Sequence, residues 1–437
     1  MAGLVFERFL STPEMVEVYS EAAVVQAMLD FEGALVTAQA AVGLVPAAAA
    51  QVIAQTCHVE HLDIDAVILA SGRAGSLAIP LVKKLTEAVA ARDASAAGYV
   101  HWGSTSQDVI DTAMVLATRR ALALVDRDLA ALTTNLLALA QRHRDAPVLG
   151  RTLMQPAQVV SVGFKLVGWT APLVRLRQRL RSTAQEAMQL QLGGAIGTLA
   201  VMGEQGAPVA RHMAAALGLG LPPGAWHTQR DRWVALGCDV GLLCGALGKI
   251  AKDLSLMAQG EIGELAEPSG AGRGGSSAMP HKRNPVAAMV ALAAAARAPH
   301  HVAALLAAMP QQHERGLGNW QAELAEWPGL WLAAHGALRA LVDATAGLVV
   351  DEARMRSNID ALRGLVYAEA ASMLLAAHIG KSKAHALLEG LTRRAVAEER
   401  HLCGLTLEAV AADAELAALV PPAAIEAVFS ADTDARR

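Results

Sequence analysis

The chain is predicted to be all-α, on three observations from its 437 residues. Aromatic residues make up only 3% of it, alternating apolar and polar runs of strand type are hard to find, and long stretches are dominated by Ala, Leu, Arg, Gln and Glu, which favour helix. The length exceeds what one hydrophobic core usually serves, so two or three packed units are expected.

Taken in order, residues 1–100 form an N-terminal helical domain that ends before the segment HWGSTSQD. The run Asp111 to Arg144 lacks Gly and Pro and sets Leu116, Leu122, Leu129, Leu132 and Leu136 at helical spacings, which predicts a helix of roughly 50 Å. Two further long helices are expected over Gln158 to Gln191 and Gln229 to Leu265. Isolated glycines cost them modestly, and Pro172 is expected to kink the first. Together these three helices make a central bundle, domain 101–340. Val286 to Ala296 is short, mostly alanine, and followed by Arg297 and Pro299, so it falls short of a membrane span and reads as a buried helix. Loops are marked by Gly193-Gly194, Gly218 to Gly224, Pro268 to Ser277 and Pro421-Pro422. A C-terminal helical domain, 341–437, follows the stretch bearing Trp320, Trp327 and Trp331, whose rings are expected to pack rather than bind, and it ends in a polar tail.

Thirty-seven Lys and Arg against 41 Asp and Glu leave a formal charge of −4, which offers no chain-wide attraction to nucleic acid. Charged residues are 18% against a norm of about a quarter, while hydrophobic residues reach 54%. Burying helix faces between subunits reconciles those figures with a soluble protein. Cys57, Cys238, Cys244 and Cys403 show no C-x-x-C spacing, and Glu7 and Arg8 interrupt any signal-peptide core, so a cytoplasmic protein with reduced thiols is expected.

Three polar segments stand out from this apolar background. The first runs from His101 through Ser104, Thr105 and Ser106 to Gln107 and Asp108, just before the long helix. Ser104 with Gln107, and Thr105 with Asp108, have capping-box spacing; equally, hydroxyls at a helix N-terminus make an anion site. The second, Gly150 to Pro156, holds Arg151, Thr152 and Gln155, again ahead of a helix that Pro156 would start, with Met154 as core or pocket filler. A hydroxyl and an amide at this spacing bind carboxylate oxygens; satisfied surface groups are the plainer reading. The third, Gly272 to Pro285, combines glycines with Ser276, Ser277, Met279, Lys282 and Asn284. Such a loop exposes backbone N–H groups, hydroxyls, a cation and an amide, which suits a lid over an oxyanion. P-loop, G-x-S-x-G, S-x-x-K and H-E-x-x-H patterns are missing, and no metal site is expected. Outside the segments, His227 is either a core histidine or a substrate contact. Arg315 either pairs with Glu314 or Glu323 or meets a substrate carboxylate, and Arg230 and Arg232 are read as partners of Asp231 or Asp239.

Gly275 to Asn284 resembles the Gly-Ser-Ser-x-Met-Pro-x-Lys-x-Asn signature of the fumarase/aspartase superfamily, and the other two segments resemble its remaining active-site segments, in the right order. QLGGAIGTLA (191–200), WHTQRDR (226–232) and QQHERGLGNWQAE (311–323) are similar to one branch, the 3-carboxy-cis,cis-muconate cycloisomerases. The resemblance implies a homotetramer of three-domain subunits, a central bundle of twenty helices, active sites shared between three subunits, and chemistry without cofactors. It implies that Ser276 exchanges a proton at the carbon beside a carboxylate through an aci-carboxylate, with Lys282 and Asn284 holding that carboxylate. His101, inside the first segment, is read as a further catalytic group, although a helix-entry hydrogen bond would also explain it. The resemblance further implies that Ser104, Thr105, Ser106, Arg151, Thr152, Gln155, His227, Ser277, Met279, Asn284 and Arg315 bind substrate. One departure stands out: many of these lyases read Thr-His in the second segment, whereas this chain has Leu153. Lactone chemistry needs no acid there, because a carboxylate with a pKa of roughly 4 is already a stable anion. The expected activity is cycloisomerisation of 3-carboxy-cis,cis-muconate to a carboxymuconolactone in protocatechuate breakdown. A lyase of the same fold, acting on adenylosuccinate or another substituted succinate, is the rival, and a non-catalytic scaffold the remote one.

Overall fold

The computed structural model describes residues 5–270 and 272–435. It is overwhelmingly helical, in agreement with the expected all-α class. The early helices begin where short polar side chains satisfy their free N–H groups: Thr12 accepts from Met15, Ser20 from Ala23 and Asp63 from Ala66, at 3.0–3.2 Å. Five long helices follow, Ser106–Arg142, Val162–Ala187, Asp231–Met257, Val286–Ala308 and Asn319–Ala346. The first, at 37 residues, is about 55 Å long. Pro172, Pro299 and Pro328 lie inside helices.

The glycines of Asp231–Met257 have a packing purpose. A Cβ on Gly237, Gly241 or Gly248 would come within 2.5–2.7 Å of Leu305, Val302 or Ala295. Their bare backbone lets the helices 231–257 and 286–308 approach closely along an antiparallel seam.

The described residues fall into two compact units. The first gathers the chain up to Ala130 with Val174–Gly248 and Val290–Ala340. Its core includes Trp327 and Trp331, both fully buried, and Trp233 stacks on Trp327 at 4.0 Å between centroids. Indole N–H groups of Trp320 and Trp327 donate to Asp111 and Thr118, so this tryptophan series is packing.

The second unit comprises Ala131–Leu173, Lys249–Met289 and the chain from Leu341. Its C-terminal helices enclose Leu375, Leu388, Leu391, Leu402 and Leu405. It also holds two small sheets absent from the sequence expectation. β1 (Pro147–Thr152) pairs antiparallel with β2 (Gln155–Ser161), and β3 (Leu265–Ala266) with β4 (Val349–Val350). Helix 162–187 therefore starts four residues later than expected, and Pro156 lies in a strand rather than at a helix start. Pro156 faces Arg151, where the register slips after Gly150, so its missing N–H interrupts little.

Two more expectations are corrected. The helix beginning at Val286 does not stop at Arg297 and Pro299 but runs 23 residues to Ala308, and only 22% of its most apolar 18-residue window is buried within the chain. By length and composition, that helix and Asp231–Met257 are each long and apolar enough to cross a membrane.

Candidate active site

The first polar segment is built around a buried carboxylate. Asp108 is fully enclosed and receives the N–H groups of Thr105, Gly193 and Gly194 at 2.9–3.1 Å. The Ser104 hydroxyl donates to it at 3.4 Å, and Nε2 of His227 lies 2.7 Å from it. The expected Thr105–Asp108 cap is thus present, but the carboxylate also ties the start of helix 106–142 to the Gly193-Gly194 loop and to the loop bearing His227. Donors on this scale compensate the cost of burying the charge. Gln107 does not pair with Ser104: its amide donates to Asp111 at 3.2 Å and to the His227 carbonyl at 2.9 Å.

One turn further along the helix lies a second buried ionic group. Arg230 donates to both oxygens of Asp111, at 2.9 and 3.2 Å, and to both oxygens of Glu323. Its guanidinium also sits 4.5 Å from the Trp226 ring centroid. Burial pushes the Glu323 carboxyl above its ordinary pKa, against the pull of Arg230. These are not the pairs read from the sequence, since Asp239 is taken by Arg179 and Thr183 instead. Glu323 being engaged, Arg315 turns to the first segment. It donates to Thr105 Oγ1 at 2.7 Å, Ser106 Oγ at 3.1 Å and Gln107 Oε1 at 3.3 Å. A cation therefore sits over the hydroxyls at the positive end of a 37-residue helix.

His101 stands at the entrance to this segment in a left-handed conformation, φ 58°. Its Nδ1 lies 2.6 Å from the buried Glu32 carboxylate. Burial works against the imidazolium, but the charge and hydrogen bond of Glu32, with the charge of Asp108, outweigh it and raise the His101 pKa above the usual value. His101, Ser104, Thr105, Ser106, His227 and Arg315 thus lie in one unit, joined through Glu32, Asp108 and Gln107.

The second unit holds the other predicted residues in two places. Arg151 on β1 forms a forked pair with the buried Glu264, at 2.6 and 2.9 Å, and Asn358 donates to the same carboxylate at 3.0 Å. Thr152 and Gln155 are the last paired residues of the hairpin, so Leu153 and Met154 alone make its turn. Both turn residues have positive φ, 49° and 68°, and are 96% and 68% exposed. Met154 is therefore not core filler.

The third segment is a loop that folds back on itself. Asn284 donates its N–H to Gly274 at 2.8 Å and its amide to the Gly275 carbonyl at 3.3 Å. Gly274 has φ 67°, and a Cβ there would strike the Asn284 carbonyl at 2.6 Å. Ser276 Oγ accepts the N–H of Met279 at 3.1 Å and that of Ala278 at 3.4 Å. Ser277, Met279 and Lys282 are exposed, and among the described residues no side-chain partner is found for Lys282.

A model of the family described as Lyase matches residues 7–299. The chain is 48% identical over 420 residues to the 3-carboxy-cis,cis-muconate cycloisomerase of Bradyrhizobium diazoefficiens, covering 96% of this chain and 92% of that protein. It belongs to the lyases of the fumarase/aspartase superfamily. Another member of this superfamily, the Pseudomonas aeruginosa protein of the same cycloisomerase name, is 49% identical over 415 residues, 95% of this chain and 90% of its own. Among solved lyases, the 3-carboxy-cis,cis-muconate lactonizing enzyme from Pseudomonas putida superposes with a TM-score of 0.92 at 42% identity, covering 99% of this chain and 96% of that one. The superfamily and the branch expected from the signature are both borne out.

What sequence reasoning missed are mainly the carboxylates that hold others in place, Glu32, Asp111 and Glu264, while Glu323 was named only as a partner for Arg315 and is found on Arg230 instead. Their available signal was a charge inside an apolar helical run, as with Glu32 in MLDFEGALV and Asp111 in DVIDTAMV.

Proposed function

We propose that the chain catalyses the cycloisomerisation of 3-carboxy-cis,cis-muconate, with Ser276 as the proton donor. One substrate carboxylate adds to the conjugated double bond, a C–O bond forms, and the electron pair moves into the neighbouring carboxylate as an aci-carboxylate. Ser276 then delivers its proton to the adjacent carbon, the aci-carboxylate collapses to a carboxylate, and the serine alkoxide regains a proton from water. The observation that carries this reading is the pair of backbone N–H groups aimed at Ser276 Oγ, from Ala278 and Met279. An alkoxide gains more from two such donors than an alcohol does, which lowers the cost of giving up the proton. Because the nucleophile is part of the substrate, its fixed proximity replaces a bimolecular encounter, and the protein's task is to orient three carboxylates. That task falls to Lys282 and Asn284 for the reacting carboxylate, and to Ser104, Thr105, Ser106, Arg315, Thr152, Gln155, Ser277 and Met279 around it. Arg151 and His227 act from behind, through Glu264 and Asp108.

The same reading makes the protein a cytoplasmic homotetramer of three-domain subunits, 1–100, 101–340 and 341–437, with sites shared between three of them and no cofactor. Support for association comes from apolar side chains left uncovered on the long helices, among them Phe164, Leu242, Met289 and Leu306. The test is loss of diene absorbance on adding the protein to 3-carboxy-cis,cis-muconate. Wild type consumes the diene, and Ser276→Ala, folded and equally associated, does not. An unchanged diene with wild type would move the reading to a lyase on another small polycarboxylate, which a panel of fumarate-forming substrates would then reveal by a rise in absorbance. Leu153 weighs against an amine-releasing lyase.

A further inference from the structure

Resting on the function proposed above, we infer that Glu32 is a positioning residue for substrate binding: it holds His101 by Nδ1, so that the opposite nitrogen, Nε2–H, is presented to a substrate carboxylate.

Glu32 lies in the middle of the helix Glu21–Ala41, 1% exposed, among Leu29, Phe31, Leu35 and Val36. A carboxylate at such a place is costly unless it is paired. Among the described residues its hydrogen-bonding partner is His101, at 2.6 Å. The pairing fixes which nitrogen is which: Nδ1–H donates to Glu32, and Nε2 is left for another partner. The His101 side chain is 19% exposed, so the ring is anchored on one edge and open on the other.

The backbone points the same way. His101 is held at φ 58°, a conformation that costs a non-glycine residue of order 1 kcal/mol and persists only where surroundings impose it. Here the imposing contacts are the Glu32 pair and, one residue on, the Gln39 amide donating to the Trp102 carbonyl at 2.7 Å. Both come from the helix 21–41, so that helix sets the ring three residues ahead of the Ser104 hydroxyl. The charged groups facing His101 are Glu32 from that helix and Asp108 from helix 106–142, both carboxylates. Two anions around one imidazole favour the imidazolium over the neutral ring. A fixed cation beside a row of hydroxyls at a helix N-terminus suits a substrate that carries three carboxylates.

The test compares wild type with Glu32→Gln, which keeps size and shape but removes the charge. NMR titration of His101 should place its pKa above the ordinary value in wild type and lower in the variant. At neutral pH the variant's KM should rise about tenfold with kcat within about twofold, the scale typical of losing a carboxylate behind a histidine. As the pH falls through the variant's own His101 pKa, read from the same titration, its imidazole protonates in turn and the KM gap should narrow. Glu32→Asp, which keeps the charge, should lie between the two. His101→Gln should raise KM as Glu32→Gln does, and the double variant should add nothing further. Equal titration of His101 in wild type and Glu32→Gln, or a KM gap that stays unchanged as the pH passes below the variant's own measured His101 pKa, would overturn the inference. If wild type itself fails to consume the muconate, the functional reading falls separately, and the His101 titration still decides whether Glu32 holds and charges the ring.

Discussion

His335 shows how a single residue can make stability depend on pH. It is fully buried, with Nε2 3.0 Å from Asp128 and Nδ1 2.7 Å from the Thr12 hydroxyl. Those partners suit the neutral ring, Nε2–H donating to the carboxylate and Nδ1 accepting from the hydroxyl. Burial pushes its pKa below the ordinary 6.5, although the charge of Asp128 opposes this. The unfolded chain therefore takes up a proton first as pH falls, so the contribution of His335 is fully present above about pH 6.5 and is lost on the way down through the folded pKa. His101 has the opposite sign: its raised pKa lends stability below about pH 6.5 that fades as pH rises through the folded value. Replacing His335 by Gln should flatten the fall of Tm between about pH 6.5 and 5, measured by differential scanning calorimetry; an unchanged slope would show that the acid loss comes from other groups. The site's polar residues were legible singly because Ser276, Lys282 and Arg315 belong to polar segments that stand out from an apolar helical chain. Their partners were not, because pairings such as Arg230 with Asp111 and Glu323 bridge residues 119 and 93 positions apart.

Among the elements, the hairpin β1–β2 is where the sequence misled, for a physical reason. The strands are short, one begins at a proline and the other contains one, and the turn is Leu153-Met154 where a two-residue turn with positive φ at both positions calls for Asn-Gly. The local chemistry therefore gives no hairpin signal, and the strands form because Leu149 and Val159 join a cluster with Ile359, Val366 and Tyr367 from the C-terminal helices. Three of the five long helices were legible because their apolar periodicity extends far beyond any capping signal, with only their ends misplaced, whereas Asn319–Ala346 was not read as a helix. Keeping two L-residues strained and exposed at a turn is unfavourable by roughly 1–2 kcal/mol, a cost that stability alone would remove. The double change Leu153→Asn with Met154→Gly should raise Tm. If the tip contributes to a substrate pocket, kcat/KM should fall at the same time, the pattern of a site whose strain serves activity. A rise in Tm with unaltered turnover would make the tip a turn and nothing more.

For the molecule as a whole, the all-α class followed from composition, and its low charge already hinted that one chain cannot cover its own apolar surface. Which stretches pack together into compact units was not legible. The first unit gathers three separate stretches of sequence and the second gathers three others, with helices such as Ser106–Arg142 contributing to both. Contacts that recruit distant stretches leave no local composition shift to mark a boundary.

The helix Val286–Ala308 has its glycine-facing side seated on helix 231–257, and few residues of its apolar window are fully buried, Met289 and Leu306 being about half exposed. It follows directly the loop that carries Ser276. If subunit association is what covers that window, then diluting the protein does more than reduce the number of catalysts. Specific activity should drop below a threshold concentration and recover when the protein is concentrated again, so that a plot of rate against enzyme curves upward, and light scattering should report dissociation over the same range. A straight line with scattering reporting single chains would mean that each chain works alone, and a straight line with scattering unchanged would mean that association outlasts the dilution. In the curved case, the abundance of the protein in a cell would itself act as a switch on its rate.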